Sequence, residues 1–182
     1  MMILVTGGSG SGKSSYAEDC IIKLHKPSKQ KDNLFYIATM KVYGEEGQRK
    51  VERHRNMREG KGFKTIEQTC DIDKCLTAVG SDKYNTCALL ECMSNLVANE
   101  MFDNDTVRSE DYVVEKVLRD FSKLSVTINN LVVVTNNVFE DGCEYDEQTK
   151  AYIRALGRIN VRLARMADKV VEVVVGIPIE IK

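Results

Sequence analysis

The eight residues "GGSGSGKS", Gly7 to Ser14, constrain this chain more than any others. They follow the apolar, β-rich run "MILVT" and lead into "KSSYAEDCIIKLH", where Tyr16, Ala17, Cys20, Ile21 and Leu24 recur at helical spacing. The stretch fits G-x-x-x-x-G-K-[ST], with Gly7, Gly12, Lys13 and Ser14 in the fixed places. Phosphate oxygens need several converging donors, and only a loop with little side-chain bulk lets consecutive backbone N–H groups wrap around them. Gly7, Gly8, Ser9, Gly10, Ser11 and Gly12 supply that wrap, and the helix opening at Lys13, Ser14 and Ser15 aims its positive N-terminal end at the phosphates. Lys13 neutralises the outer phosphates, and the Ser14 hydroxyl is a ligand for Mg²⁺. A glycine-rich turn that merely joins strand to helix is the alternative. The strand just before and the helix just after favour nucleotide binding.

Beyond this unit the chain alternates between short β-rich runs and longer helical patterns. "LFYIAT", "CALLEC", "LVVVTN" and "KVVEVVVG" read as strands, and "SEDYVVEKVLRDFSKLSVTI" and "DEQTKAYIRALGRINVRLARMA" as helices. Fully apolar strands separated by helices imply an α/β protein, here a P-loop nucleotide-binding fold with a mainly parallel central sheet and helices on both faces. The terminal "IPIEIK" alternates and contains Pro178, which predicts an edge strand at the C-terminus. "FDNDTVRSED" reads as a solvated surface loop. No repeat or low-complexity segment interrupts the 182 residues, so one domain spanning 1–182 is expected. Mg²⁺ in a site of this kind is organised by the hydroxyl and, directly or through water, by a carboxylate at the end of a neighbouring strand. Glu91, closing "CALLEC", is the candidate, the alternative being a carboxylate that helps to start the helix at "MSNLVANEMF".

A net charge of −1 gives no general pull toward nucleic acid or anionic membrane, so any basic patch is local. No stretch of 18 apolar residues suggests a membrane span, and the N-terminus lacks the charged region of a secretory signal. A cytoplasmic protein is expected. The six cysteines, Cys20, Cys70, Cys75, Cys87, Cys92 and Cys143, show no C-x-x-C spacing, and reduced thiols that act as small hydrophobes are the expectation.

The local basic patch is "RKVERHRNMREGK", Arg49 to Lys61, with six basic and two acidic residues around His54, one of two histidines in the chain. A neutral imidazole is a competent nucleophile toward an α-phosphate, and basic neighbours both hold a triphosphate and lower the imidazole pKa. In a helix, Lys50, Arg58 and Lys61 lie four or seven residues from His54 and share its face, while Arg53 and Arg55 point elsewhere. A solvated basic helix in which His54 merely sits is the alternative. The other histidine, His25, stands at a helix end and reads as a C-terminal cap.

The guanine-reading N-K-x-D of signalling GTPases is absent, "TNNV" at Thr135 to Val138 being the nearest strand end, which favours a small-molecule kinase or nucleotidyltransferase over a switch. The opening "MMILVTGGSGSGKSSYAE", then "YIAT", "KVERHRNMR", "LLEC", "VVVTNNV" and the closing "GRINVRLARMADKVVEVVVGIPIEIK" follow each other as in one family. In their order and spacing they resemble the bifunctional adenosylcobinamide kinase/adenosylcobinamide-phosphate guanylyltransferases of cobalamin biosynthesis. The resemblance implies phosphorylation of adenosylcobinamide by ATP or GTP, then transfer of GMP from GTP to the new phosphate through a guanylylated histidine, here His54. It also implies a homo-oligomer, a trimer in the characterised members. The chain departs from some members of the family where Arg53 stands before His54 in place of a second histidine, and from the common pattern where Asn137 and Phe139 replace an acid and a glycine. Two further classes stay open from the residues alone: another P-loop small-molecule kinase with the basic helix as a clamp, and a nucleotide-binding regulatory module without chemistry.

Overall fold

The computed structural model describes residues 1–25, 33–42, 44–79, 86–103, 106–138, 142 and 144–182; the side chains of residues 46, 50, 53, 54 and 57 also lie outside the description. Seven strands form one sheet: β1 (Met2–Thr6), β2 (Leu34–Ala38), β3 (Lys64–Glu67), β4 (Cys87–Glu91), β7 (Asn130–Val134), β8 (Lys169–Val174) and β9 (Ile177–Glu180). Their spatial order is β3-β2-β4-β7-β1-β8-β9. Every neighbouring pair is parallel except β8 and β9, which form an antiparallel hairpin; β9 lies at the sheet edge, as "IPIEIK" predicts. The central strands are buried on both faces, and their near-continuous Val, Ile and Leu content reflects this.

Successive side chains of these strands point to opposite faces and feed two cores. Ile3, Val5, Leu89, Val132 and Val134 meet Ala17 and Ile21 of helix α1 (Lys13–Leu24) on one face. Met2, Leu4, Leu90, Leu131 and Val133 lie in the other core. There they meet α4 (Met93–Met101), α5 (Glu110–Thr127) and α6 (Glu147–Met166). Side-chain oxygens open the two long helices: Ser109 accepts from Tyr112 N at 3.4 Å and Asp146 from Thr149 N at 2.9 Å. His25 does occupy the C-cap of α1, its backbone N–H bonded to Ile21 O. Helix α2 (Gly44–Arg58) carries the basic stretch, and the short α3 (Leu76–Val79) continues a 3-10 turn at Ile72–Cys75.

One sequence expectation is corrected, and one strand carries no sequence signal. "FDNDTVRSED" is not simply a loop: β5 (Phe102–Asp103) and β6 (Thr106–Val107) pair antiparallel, and Arg108 ties the ribbon to Glu100 and Asp103 at 3.2 and 3.1 Å. Strand β3 has no apolar run to announce it, because as an outer strand it leaves three of four residues exposed. Cys20, Cys70, Cys75, Cys87 and Cys92 are free, as expected; Cys143 lies outside the described residues. Burial, and after it the Asp73 charge, push the Cys75 thiol up to about 12, which leaves it inert. No helix among the described residues is long and apolar enough to cross a membrane.

Candidate active site

The phosphate loop lies between the end of β1 and the start of α1, where the sequence places it. Gly7, at φ 154°, packs so closely that a Cβ there would stand 2.5 Å from Val173 O of β8. Gly12, at φ 90°, is the N-cap of α1 and offers no side-chain cap, and no acidic residue sits in the first turn. The first N–H groups of α1 thus keep their free ends and the positive end of the helix is uncompensated, which is what an anion requires. Lys13 is buried and reaches back to Gly8 O at 3.1 Å, arched over the loop.

Glu91 comes to this loop from β4, two strands away across β7. Ser14 Oγ donates to its Oε1 at 2.5 Å, while its Oε2 is buried without a partner among the described residues. Burial holds the Glu91 carboxyl above the usual carboxylate range, against the Ser14 hydrogen bond and the Lys13 charge, which pull it down. Thr39 fixes the turn after β4: its Oγ1 accepts from Cys92 N at 2.7 Å and donates to Cys92 O at 2.8 Å, and Thr39 N donates to Glu91 O at 3.0 Å. An orphaned carboxylate oxygen beside a serine hydroxyl at a phosphate loop fits Mg²⁺. Among the described residues no three His, Cys, Asp or Glu side chains converge on a metal position, so such an ion depends on oxygens of the nucleotide and water for its remaining ligands.

These groups open on a cleft of about 690 Å³. Loop residues Ser9 to Ser15 and Glu91 form one wall, and Val51, Arg55 and Arg58 of α2 form another. Arg58 is only 8% exposed, its Cζ lies 3.5 Å from the Tyr36 ring centroid, and its Nε and Nη1 are buried without partners among the described residues. A guanidinium stacked on a ring, with two nitrogens left without partners among the described residues, can receive an anion. Tyr36 is itself braced edge-on by Phe63 at 6.0 Å, and burial followed by the Glu91 charge raises its phenol far above the ordinary value.

His54 falls within α2, three residues after Val51 and four before Arg58, so the helical repeat sets its backbone on the cleft-lining face. The side chains of His54 and Lys50 lie outside the described residues. Two expectations about the neighbours of His54 are corrected. Lys61 lies beyond the end of α2 and pairs with buried Glu18 of α1 at 2.6 Å, so it shares no helix face with His54. Arg55, expected to point elsewhere, lines the cleft and pairs with Glu67 of β3 at 2.7 Å. Sequence reading missed Tyr36, Glu67 and Asn136, all on the cleft. Asn136, just past β7, donates to Ser94 Oγ at 2.7 Å, and its place in "TNNV" beside the phosphate-loop strand was the available signal.

A phosphate loop between a central parallel strand and its helix, faced by a serine-linked acid two strands away, defines a P-loop nucleotide-binding protein of the α/β class. A KaiC-like protein from Pyrococcus horikoshii shares the fold with a TM-score of 0.50 at 12% identity, over 94% of this chain and 71% of that one. Residues 3–181 match the cobinamide kinase / cobinamide phosphate guanyltransferase family, and the chain belongs to that family of transferases. The bifunctional adenosylcobalamin biosynthesis protein CobU of Salmonella typhimurium is 30% identical over 191 residues, and its Escherichia coli counterpart 30% over 197, each covered end to end along with this chain.

Proposed function

We propose that this chain phosphorylates adenosylcobinamide with a nucleoside triphosphate and then transfers GMP from GTP to adenosylcobinamide phosphate, giving adenosylcobinamide-GDP through a guanylylated His54. The observation that carries the reading is the cleft itself. It joins the Lys13, Ser14 and Glu91 cluster on one wall to the helix bearing His54 and Arg58, whose Nε and Nη1 have no partner among the described residues, on another. Family membership and the names of the two full-length relatives supply the substrates.

In the first step the cobinamide hydroxyl oxygen attacks the γ-phosphorus, the bond to the bridging β–γ oxygen breaks, and the nucleoside diphosphate leaves as the hydroxyl proton passes to water. Loop N–H groups and Lys13 hold the triphosphate in line, and Lys13 meets charge that develops on the leaving oxygens. Ser14 and Glu91 would hold Mg²⁺, which when bound neutralises the outer phosphate oxygens. In the second step an imidazole nitrogen of His54 attacks the α-phosphorus of GTP and pyrophosphate leaves. The cobinamide phosphate oxygen then attacks the resulting phosphoramidate and frees the imidazole. Arg58, and Lys50 through its charge, serve the nucleotide phosphates, and Arg55 adds a third cation to that wall.

Incubation with GTP labelled at the α-phosphate tests this reading. Label is expected on the protein, stable to alkali and labile to acid as a phosphoramidate is, in the peptide containing His54, and absent from His54→Ala. GMP transfer by a wild-type protein that never carries label would overturn it.

A further inference from the structure

The turn joining β8 to β9 places a residue in a conformation that its side chain disfavours. Val175 has φ 45° and Gly176 φ 84°, so both central residues of this two-residue hairpin are left-handed, the pattern of a type I′ turn. Asn-Gly suits such a turn, whereas a β-branched residue in the first position is strained. Val175 is also 83% exposed, next to Ile177 at 62%, so the strain serves no core. Strain of this kind, kept without benefit to packing, marks a place where function sets the residue.

The turn is built against the phosphate loop. Gly176 N donates to Ser11 O at 2.8 Å, and a Cβ on Gly12 would lie 3.4 Å from Gly176 Cα. Sheet order then fixes which part of a nucleotide comes near it. The acid that meets Ser14 lies on β4, to one side of β1, while β8 and β9 lie to the other. A triphosphate with its outer end at Lys13, Ser14 and Glu91 therefore sends its nucleoside away from β4 and toward the β8–β9 turn. Adjacent strands stand about 4.8 Å apart, so a turn one to two strands over is within reach of a nucleoside.

We propose that Val175 and Ile177 form an apolar shelf beneath the base of the nucleotide whose phosphates the loop holds. The inference rests on the phosphate-loop reading above and concerns the phosphoryl donor of the first step alone, whose base it places outside the cleft; guanylyl transfer to His54 needs the α-phosphate of GTP inside the cleft. A flat purine laid on these two side chains removes apolar surface from water on both partners, and the backbone strain keeps the Val175 side chain turned out to receive it.

The test compares a non-hydrolysable ATP analogue with tripolyphosphate by calorimetry, for wild type, Val175→Asn and Ile177→Thr. Asparagine suits the first position of the turn and threonine suits a strand, so both variants are expected to fold, with Val175→Asn melting at the wild-type temperature or above it. Each is expected to bind the analogue about five- to tenfold more weakly while tripolyphosphate affinity stays unchanged. Unchanged analogue affinity would overturn the shelf. So would variants that dissociate an oligomer yet keep nucleotide affinity, since the turn would then be an interface between copies. A wild-type protein that binds neither ligand would overturn the phosphate-loop reading along with the shelf.

Discussion

Glu91 is held in a position that costs stability. Its carboxyl is raised above the ordinary value mainly by burial, so the folded protein binds the proton more tightly than the unfolded chain does. For an acid shifted in this direction, the charge opposes folding once the pH exceeds the unfolded value. Glu91→Gln, which keeps size and removes charge, is therefore expected to melt no lower than wild type. The same variant is expected to lose Mg²⁺-dependent kinase turnover on the order of a hundredfold, because the carboxylate oxygen now orphaned no longer meets the ion. In the wild type the proton competes with Mg²⁺ for this carboxylate, so the Mg²⁺ needed for half-maximal turnover is expected to rise as pH falls, and the glutamine variant is expected to lack that dependence. Melting curves and Mg²⁺ titrations of turnover between pH 5 and 8 check all three outcomes, and loss of fold with normal Mg²⁺ dependence would make Glu91 structural. At the same scale, the Arg58 guanidinium stacks on Tyr36, and its Nε and Nη1 have no partner among the described residues.

At the scale of elements, a charge cluster joins the 3-10 turn, α4 and α5. Lys116 Nζ meets Asp71 Oδ1 and Glu100 Oε1 at 2.7 Å and Asp120 Oδ2 at 3.0 Å, and its side chain is 8% exposed. Burial alone would lower the pKa of this ammonium, but the three carboxylates hold it above its ordinary value. Hydrogen bonds from Lys116 and then Lys74 lower Asp71 to about 2. A carboxylate depressed in the folded state stabilises the fold above its unfolded pKa, and that contribution is lost as pH falls from about 4 to about 2. Lys116→Met leaves Glu100 and Asp120 buried without their main cation and is expected to cost about 3–5 kcal/mol in urea unfolding at pH 7. The deficit is expected to shrink as pH falls from about 4 to about 2, where the wild type loses the Asp71 contribution, and a Lys116→Met protein as stable as wild type at pH 7 would mean the cluster is energetically idle. This cluster lies on the face opposite α1, so the variant tests the scaffold without touching the phosphate loop.

For the whole molecule, the two proposed transfers use different walls of one cleft, which makes them separable. His54→Ala is expected to abolish GMP transfer and leave phosphorylation of adenosylcobinamide within about twofold, while Lys13→Ala is expected to cost phosphorylation a hundredfold or more. Product assays with each variant check this, and equal loss of both activities in His54→Ala would mean that α2 acts as one clamp. Much of this arrangement was legible in the residues. The phosphate loop, the five apolar strands of the sheet, the long helices, the C-terminal edge strand and Glu91 as partner of Ser14 all follow from local signals: glycine at required turns, 3.6-residue periodicity, apolar runs bounded by polar links. Strand β3 and the β5–β6 ribbon were not legible, because exposed edge strands carry no apolar run. The pairing of Lys61 with Glu18, and the turn of Arg55 into the cleft toward Glu67, depend on where other elements dock. The kind of element each segment forms is thus written in its own residues, since backbone dihedral preference and side-chain periodicity act over a few positions. Which elements become neighbours is settled only when the chain packs. Any buried parallel strand can pair with any other through the same backbone hydrogen bonds, so nothing local foretells that β7 enters between β1 and β4. That insertion sets the span across which Glu91 reaches Ser14, 77 positions away in the chain, and it leaves β8 and β9 on the far side of the phosphate loop.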